Sequence, residues 1–116
     1  MCNEKASRIC FDGIMLSYLS FLKVNLQNCS FCGCLLIGCE FDGCDLRSAD
    51  FSGASLEYTD FRNAILDDTT VFSRKTKFGY TKINHDQKQY FTPWVNDGLL
   101  FEASDSVTYI GPLNYT

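Results

Sequence analysis

Residues 9–73 read, in blocks of five, ICFDG IMLSY LSFLK VNLQN CSFCG CLLIG CEFDG CDLRS ADFSG ASLEY TDFRN AILDD TTVFS. The third letter of every block is large and apolar: Phe11, Leu16, Phe21, Leu26, Phe31, Leu36, Phe41, Leu46, Phe51, Leu56, Phe61, Leu66 and Val71. Phe and Leu alternate without a slip until the final Val. The first letter is apolar or small throughout: Ile9, Ile14, Leu19, Val24, Cys29, Cys34, Cys39, Cys44, Ala49, Ala54, Thr59, Ala64 and Thr69. The other three letters are mostly polar, charged or Gly. A period of five fits neither a 3.6-residue helix nor two-residue strand alternation. It fits a short extended piece followed by a corner, repeated, with two inward residues per unit. One such coil cannot bury itself; a stack of coils can.

The corners have a residue signature. Gly13, Gly33, Gly38, Gly43 and Gly53 lie two residues after a central Phe or Leu, and Asn28 and Asn63 share that slot. A type II turn needs a positive φ at its third residue, which Gly or Asn supplies. Tyr18, Lys23, Ser48, Tyr58 and Asp68 stand in the slot elsewhere, and there a different turn is expected.

The units Ala49-Asp50-Phe51-Ser52-Gly53, Ala54-Ser55-Leu56-Glu57-Tyr58 and Cys44-Asp45-Leu46-Arg47-Ser48 resemble the pentapeptide-repeat family, whose loose pattern is A-(D/N)-L-X-X. The resemblance implies an all-β fold, a right-handed quadrilateral β-helix of about three coils, with one pentad per side and four per turn. Residues 20 apart then share a column. Phe11, Phe31, Phe51 and Val71 form one; Phe21, Phe41 and Phe61 the opposite one; Leu16, Leu36 and Leu56, and Leu26, Leu46 and Leu66, the remaining two. At about 4.8 Å per coil the stack is roughly 16 Å tall. The first-letter residues shrink from Ile, Ile, Leu and Val in coil one to Ala and Thr in coil three, so a wider or more irregular first coil is expected.

Three parts follow: a short lead at 1–8, the repeat at 9–73, and an irregular aromatic-rich cap or tail at 74–116. The lead is short and polar. Either the chain folds over the first coil through Met1, Cys2, Ala6 and Ile9, or that coil is left open and pairs with another chain. A homodimer through a coil end is one expected form of that pairing. Beyond residue 73 the period fails and helical periodicity is absent. Short strands are expected in Phe78–Ile83 and Ser106–Ile110, and a turn at Asn96-Asp97-Gly98. The tail's Phe78, Tyr80, Tyr90, Phe91, Trp94 and Phe101 are either the covering of the last coil or aromatic anchors for a partner.

The chain has 116 residues, 46% hydrophobic and 21% charged, which describes one globular unit rather than a disordered polar chain. No apolar run approaches the roughly 18 residues of a membrane span, so no membrane partner is expected. Net charge is −4, which disfavours direct nucleic-acid binding through phosphates. The seven Cys are an odd number and no export signal precedes them, so free thiols in the cytoplasm are expected.

Cys29, Cys34, Cys39 and Cys44 fall on four successive sides of one coil. Four thiolates suggest structural zinc, but the repeat already requires a small inward residue at each position, and a protonated Cys is one. No cofactor is therefore expected. Cys32 should face outward, and a reactive thiol is more expected there. Glu40, Asp42, Asp45, Asp50, Glu57 and Asp60, with Asp67 and Asp68, meet only Arg47 and Arg62 in coils two and three, which leaves that stretch at −6. Some members of the family resembled present an acidic rod that mimics DNA to a type II topoisomerase, DNA gyrase; the other reading is a solvated face. His85 is the sole His, in a polar loop, and no motif pairs a nucleophile with a base. The expected function is a non-catalytic protein–protein interaction module, with the acidic DNA mimic as alternative and a Cys-based metal or redox protein behind it.

Overall fold

A computed structural model describes residues 9–102 and 107–111. Parallel bridges join Cys10 to Ser30, Met15 to Leu35, Ser20 to Glu40 and Asn25 to Asp45, then Ser30 to Asp50, Leu35 to Ser55, Glu40 to Asp60 and Asp45 to Ile65. Every one spans 20 residues. Four bridges per 20 residues make a four-sided coil, and each side is one bridge long rather than an extended strand.

The corners close by the hydrogen bond of a tight turn, as from the Ile14 N–H to the Phe11 carbonyl and from the Cys34 N–H to the Phe31 carbonyl. From Gly13 to Asn63 the slot two after each central residue has φ between 60° and 74°, and this includes Tyr18 (67°), Lys23 (60°), Ser48 (62°) and Tyr58 (61°), whereas Asp68, two after Leu66, is not left-handed and keeps the different turn expected there. The expectation of a different turn at those four is thus corrected. The cause is the stack: the Tyr18 N–H donates to the Ile37 carbonyl and the Lys23 N–H to the Asp42 carbonyl, bonds only the left-handed corner can make. They outweigh the roughly 1–2 kcal/mol that a non-Gly residue loses there.

The inward columns form as expected through the third coil. Phe11–Phe31, Phe31–Phe51, Phe21–Phe41 and Phe41–Phe61 stack at 5.0, 5.0, 5.1 and 5.1 Å, with rings within 11° of parallel. The two Phe columns meet edge to face, as Phe41 on Phe51 at 5.8 Å and 80°. The rise from coil one to coil two equals that from two to three, but across the core the two Phe columns stand 6.4 Å apart at Phe21–Phe31 and 5.6 Å apart at Phe51–Phe61, the direction expected of a wider first coil. Its larger first-letter residues, Ile9, Ile14, Leu19 and Val24, are exposed at the N-terminal end of the described stack.

Val71 does not continue the Phe column. It bridges Asp50 across 21 residues, is exposed, and leaves Phe72 to stack on Phe51 at 5.4 Å. A second extra residue precedes Lys77, which bridges Ser55 across 22, as Lys82 bridges Asp60. Coil bonding therefore continues past residue 73, with Phe72, Phe78 and Ile83 as the central residues of a fourth turn.

The rest of the chain packs against that turn. A 3₁₀ helix covers His85–Phe91, and α1 covers Thr92–Asn96, where no helix is expected from periodicity. Pro93 suits the start of α1, because its missing N–H would have no partner there. Strands β1 (Thr81–Ile83), β2 (Leu100–Glu102) and β3 (Thr108–Ile110) form an antiparallel sheet in the order β1-β3-β2. Thr81 pairs with Ile110 and Leu100 pairs with the same residue from the other side. β1 and β3 fall within the two segments expected to hold strands. The expected turn at Asn96-Asp97-Gly98 ends α1, with Gly98 at φ 74°.

Two variants test this core. Phe41 is fully buried between stacked neighbours, so Phe41→Ala lowers unfolding stability by about 3–5 kcal/mol in a urea titration; a loss below about 1 kcal/mol would show that the column is not close-packed. Lys23 sits exposed at a left-handed corner, so Lys23→Asn raises stability, by up to about 1 kcal/mol, because Asn tolerates that conformation.

Candidate interaction surfaces

The first-letter column leans toward the coil before it. The thiols of Cys34, Cys39 and Cys44 donate to the carbonyls of Phe11, Leu16 and Phe21 at 2.8, 3.0 and 2.6 Å. In the third coil the Thr59 hydroxyl does the same to Leu36. In the fourth turn Thr70, Thr76 and Thr81 reach the carbonyls of Leu46, Phe51 and Leu56, and the Gln87 side-chain amide reaches those of Phe61 and Ala64. These donors lie outside the strict period, but a Thr two residues before Phe72, Phe78 and Ile83 was their signal in the sequence.

The same lean explains the N-terminal end of the described stack; the expected covering by Met1, Cys2 and Ala6 lies outside the described residues. In coil one the column is Ile9, Ile14, Leu19 and Val24, and no described residue lies before it. The four side chains make an apolar plateau. Leu22 and Met15 are exposed beside it. The N–H groups of the equivalent residues in coil two, Leu35, Glu40 and Asp45, donate to Ile14, Leu19 and Val24. Those of Met15, Ser20 and Asn25 on the outer rim have no such neighbour among the described residues.

The thiols are not metal-ready thiolates. Cys29, Cys34, Cys39 and Cys44 are buried, and three of them are hydrogen-bond donors, which requires the proton. Burial pushes Cys34, Cys39 and Cys44 up from the ordinary thiol value against the opposing backbone hydrogen bonds. Cys32 is half-buried. Burial raises it too, the Ser30 hydroxyl opposes, and Asp50 and Asp12 add to the rise. The outward, reactive thiol expected there is corrected to a poorly ionising one. Cys29, Cys32, Cys34, Cys39 and Cys44 form no disulfide, whereas Cys10 is disulfide-bonded, against the expectation of free thiols.

The acidic residues do not share a side. Asp50 bridges the column of Ser30, Glu40 bridges Asp60 on a second side, Asp45 lies on a third with Asn25, and Glu57 follows the fourth. Arg47 holds Asp45 by a forked pair, which keeps that carboxyl below the usual range. Burial raises Asp60, and the paired hydrogen bonds of Arg62 more than reverse it. Asp42 accepts from the Asn63 amide at 3.0 Å and lines, with Glu40 and Asp60, a groove of about 440 Å³.

The aromatic candidates divide. Phe78, Phe91 and Trp94 are buried, so as partner anchors they are corrected to packing residues. Phe91 lies 4.7 Å from Phe72 and Trp94 4.8 Å from Phe78. Tyr80, Tyr90 and Phe101 are half-buried. Tyr80 stacks on the exposed Tyr58 at 5.7 Å, and Phe101 stacks on Tyr109 at 5.2 Å. His85 is exposed beside Glu102 at 3.2 Å.

A stack of like coils, each touching only its neighbours, defines a solenoid repeat protein. Residues 21–53 and 33–70 match the family model for pentapeptide repeats, in eight copies, and that stretch consists of pentapeptide repeats. Repeats of that family imply a right-handed quadrilateral β-helix. No curated protein matches the chain. Among solved structures it is similar to the pentapeptide-repeat protein Rfr23 of the cyanobacterium Cyanothece 51142, at 19% identity and TM-score 0.40 over 53% of this chain and 45% of that one. It is similar to QnrB1, a plasmid-mediated fluoroquinolone resistance protein, at 23% and 0.38 over 71% and 42%. A pentapeptide-repeat protein of the Arabidopsis thaliana thylakoid lumen matches at 23% and 0.31 over 73% and 72%. The chain spans less than half the length of the first two.

The thiols set a pH response. A group raised on folding contributes stability that is complete below its unfolded value, about 8.5 for a thiol, and is lost as pH rises through the folded value. Unfolding stability therefore falls as pH rises above about 8.5, and Cys44→Ala reduces that fall. Asp60, lowered on folding, acts in the opposite sense, with stability lost as pH drops below about 3.9. Iodoacetamide labelling read by mass spectrometry leaves Cys34, Cys39 and Cys44 unmodified in the native chain at neutral pH and modifies all three after unfolding; rapid native labelling would contradict the buried, protonated assignment.

Proposed function

We propose that this chain is a non-catalytic protein–protein interaction module, built as a right-handed quadrilateral β-helix, whose contact surface is the open face of the first coil. One observation carries the reading. Of the eleven large apolar side chains exposed among the described residues, seven lie in 9–24: Ile9, Ile14, Met15, Tyr18, Leu19, Leu22 and Val24. Exposed apolar groups scattered singly are ordinary, whereas a contiguous patch marks an interaction site. Such a stack is rigid, so its end presents a preformed surface and little ordering is required on binding. The segment 84–111 serves, in this reading, as the cap of the opposite end. The protonated thiols supply neither nucleophile nor metal ligand, which favours a binding role over a redox or metal role.

The topoisomerase-directed DNA mimic stands second. It draws on the same rod, but the acidic side chains are spread over all four sides and Asp45 and Asp60 are engaged by arginines.

Capture from a host extract separates the two. Leu19→Glu places a charge on the apolar face and weakens capture of a partner by about tenfold or more, equivalent to about 1.4 kcal/mol. Asp42→Lys leaves it unchanged. The reverse pattern, with Asp42→Lys abolishing capture and Leu19→Glu neutral, would place the contact on the acidic groove.

A further inference from the structure

We propose that the cavity between the fourth turn and the segment packed on it binds a small apolar zwitterion, a free α-amino acid with an aliphatic side chain. The site lies at the other end of the rod from the first-coil face and does not depend on that reading.

The cavity itself is the first observation. It measures about 320 Å³, at the lower end of the roughly 300–1,000 Å³ of small-molecule sites. The fourth turn supplies Phe78 and α1 supplies Trp94, both buried, with rings edge to face at 4.8 Å. The half-buried Leu99 completes an apolar lining. Gly111 borders the same space. A Cβ on Gly111 would lie 2.5 Å from the Gly79 Cα, so the packed segment is seated tightly on the fourth turn. The cavity is therefore not a gap between loosely docked parts.

The second observation is an orphaned acceptor. Glu57 and Lys77 are the charged residues of the lining. Oε1 of Glu57 is buried and has no hydrogen-bond partner among the described residues. Leaving such an oxygen without a donor costs free energy that a hydrogen bond recovers. Other carboxylates of the rod are answered, Asp45 by Arg47 and Asp60 by Arg62. Lys77 bridges Ser55, two residues before Glu57, yet it is exposed and forms no ion pair among the described residues.

These groups select the ligand. The ammonium of an amino acid donates to Glu57, its carboxylate meets Lys77, and its aliphatic side chain lies against Phe78, Trp94 and Leu99. A simple amine would bring a positive charge beside Lys77 without an anion to answer it. A simple acid would bring a second carboxylate to Glu57. A zwitterion does neither, and it adds no net charge to a chain already at −4. The first residue of a peptide offers the ammonium but not the free carboxylate.

Trp94 is the single Trp of the chain, so its fluorescence reports occupancy of the cavity in the full-length protein, with titration calorimetry as the second readout. L-leucine changes the Trp94 emission saturably, and the calorimetric midpoint agrees. Glu57→Gln keeps the wild-type circular dichroism spectrum and weakens L-leucine by about tenfold or more, because a hydrogen bond between charged groups is lost. Lys77→Gln weakens it by about threefold, as expected of an exposed pair. L-leucinamide, which lacks the carboxylate, binds wild type more weakly than L-leucine does and binds Lys77→Gln no more weakly than wild type. Isocaproate, which lacks the ammonium, does not bind. Leu19→Glu, at the other end, binds L-leucine as wild type does, so failure of the first-coil contact and failure of this site are read separately. The absence of a saturable change up to the solubility limit of L-leucine overturns the proposal, as does unaltered affinity in Glu57→Gln. L-leucinamide that binds wild type as tightly as L-leucine overturns the zwitterion and makes a peptide's N-terminal ammonium the ligand.

Discussion

The rise from one coil to the next sets every other spacing in this protein. Hydrogen-bonded strands lie about 4.7–4.9 Å apart, and the stacked Phe rings lie at 5.0 to 5.1 Å. The backbone ladder therefore holds aromatic rings at nearly the separation that parallel rings prefer, and the two Phe columns can meet edge to face across the core. Both the ladder and the core are satisfied by one repeat distance. A residue that fits one side of the coil fits the same side of the next, so a five-residue pattern can be copied without redesign.

That ladder also dictates the corners. From Gly13 to Gly38 each corner N–H reaches a carbonyl in the following coil, which needs a left-handed residue two places after the central Phe or Leu. Gly is the comfortable occupant, but Tyr18, Lys23, Ser48 and Tyr58 take the same conformation. The local cost at each is small beside the bonds that the whole coil would lose by turning differently. At Asp67–Thr70 and Ser73–Thr76 an extra residue enters each corner, and the chain recovers its register within a few residues: Thr70 and Thr76 still reach the carbonyls of Leu46 and Phe51. The pairing of a short inward donor with a central apolar residue two places later is therefore more persistent than the period of five.

The first-letter column connects this packing to the proposed function. Where a coil lies before it, the column must be short, and Cys, Ala and Thr occupy it. Cys and Thr also give a hydrogen to a carbonyl of that preceding coil. In coil one this restriction is lifted, and Ile, Ile, Leu and Val appear. Their bulk is not accommodated inside the coil; it stands on the end. The same positions that build the interior of the rod thus build an apolar face where the rod begins.

The sequence by itself determined the period of five, the inward columns from Phe11 through Leu66, the Gly and Asn corners, and the presence of strands near 81–83 and 108–110. These are local and repetitive, so each unit confirms the last. Several properties depended on the tertiary structure. The shift from Val71 to Phe72 depends on which residue reaches the stack after an inserted corner. The burial of Phe78, Phe91 and Trp94 depends on the 3₁₀ helix and α1, two elements too short to leave a periodic trace. The spread of the acidic residues over four sides, and the exposure of Ile9, Ile14, Leu19 and Val24, depend on what lies beside each residue 20 positions away. A linear pattern identifies the inward positions, but only the stack decides whether another coil is present to cover them.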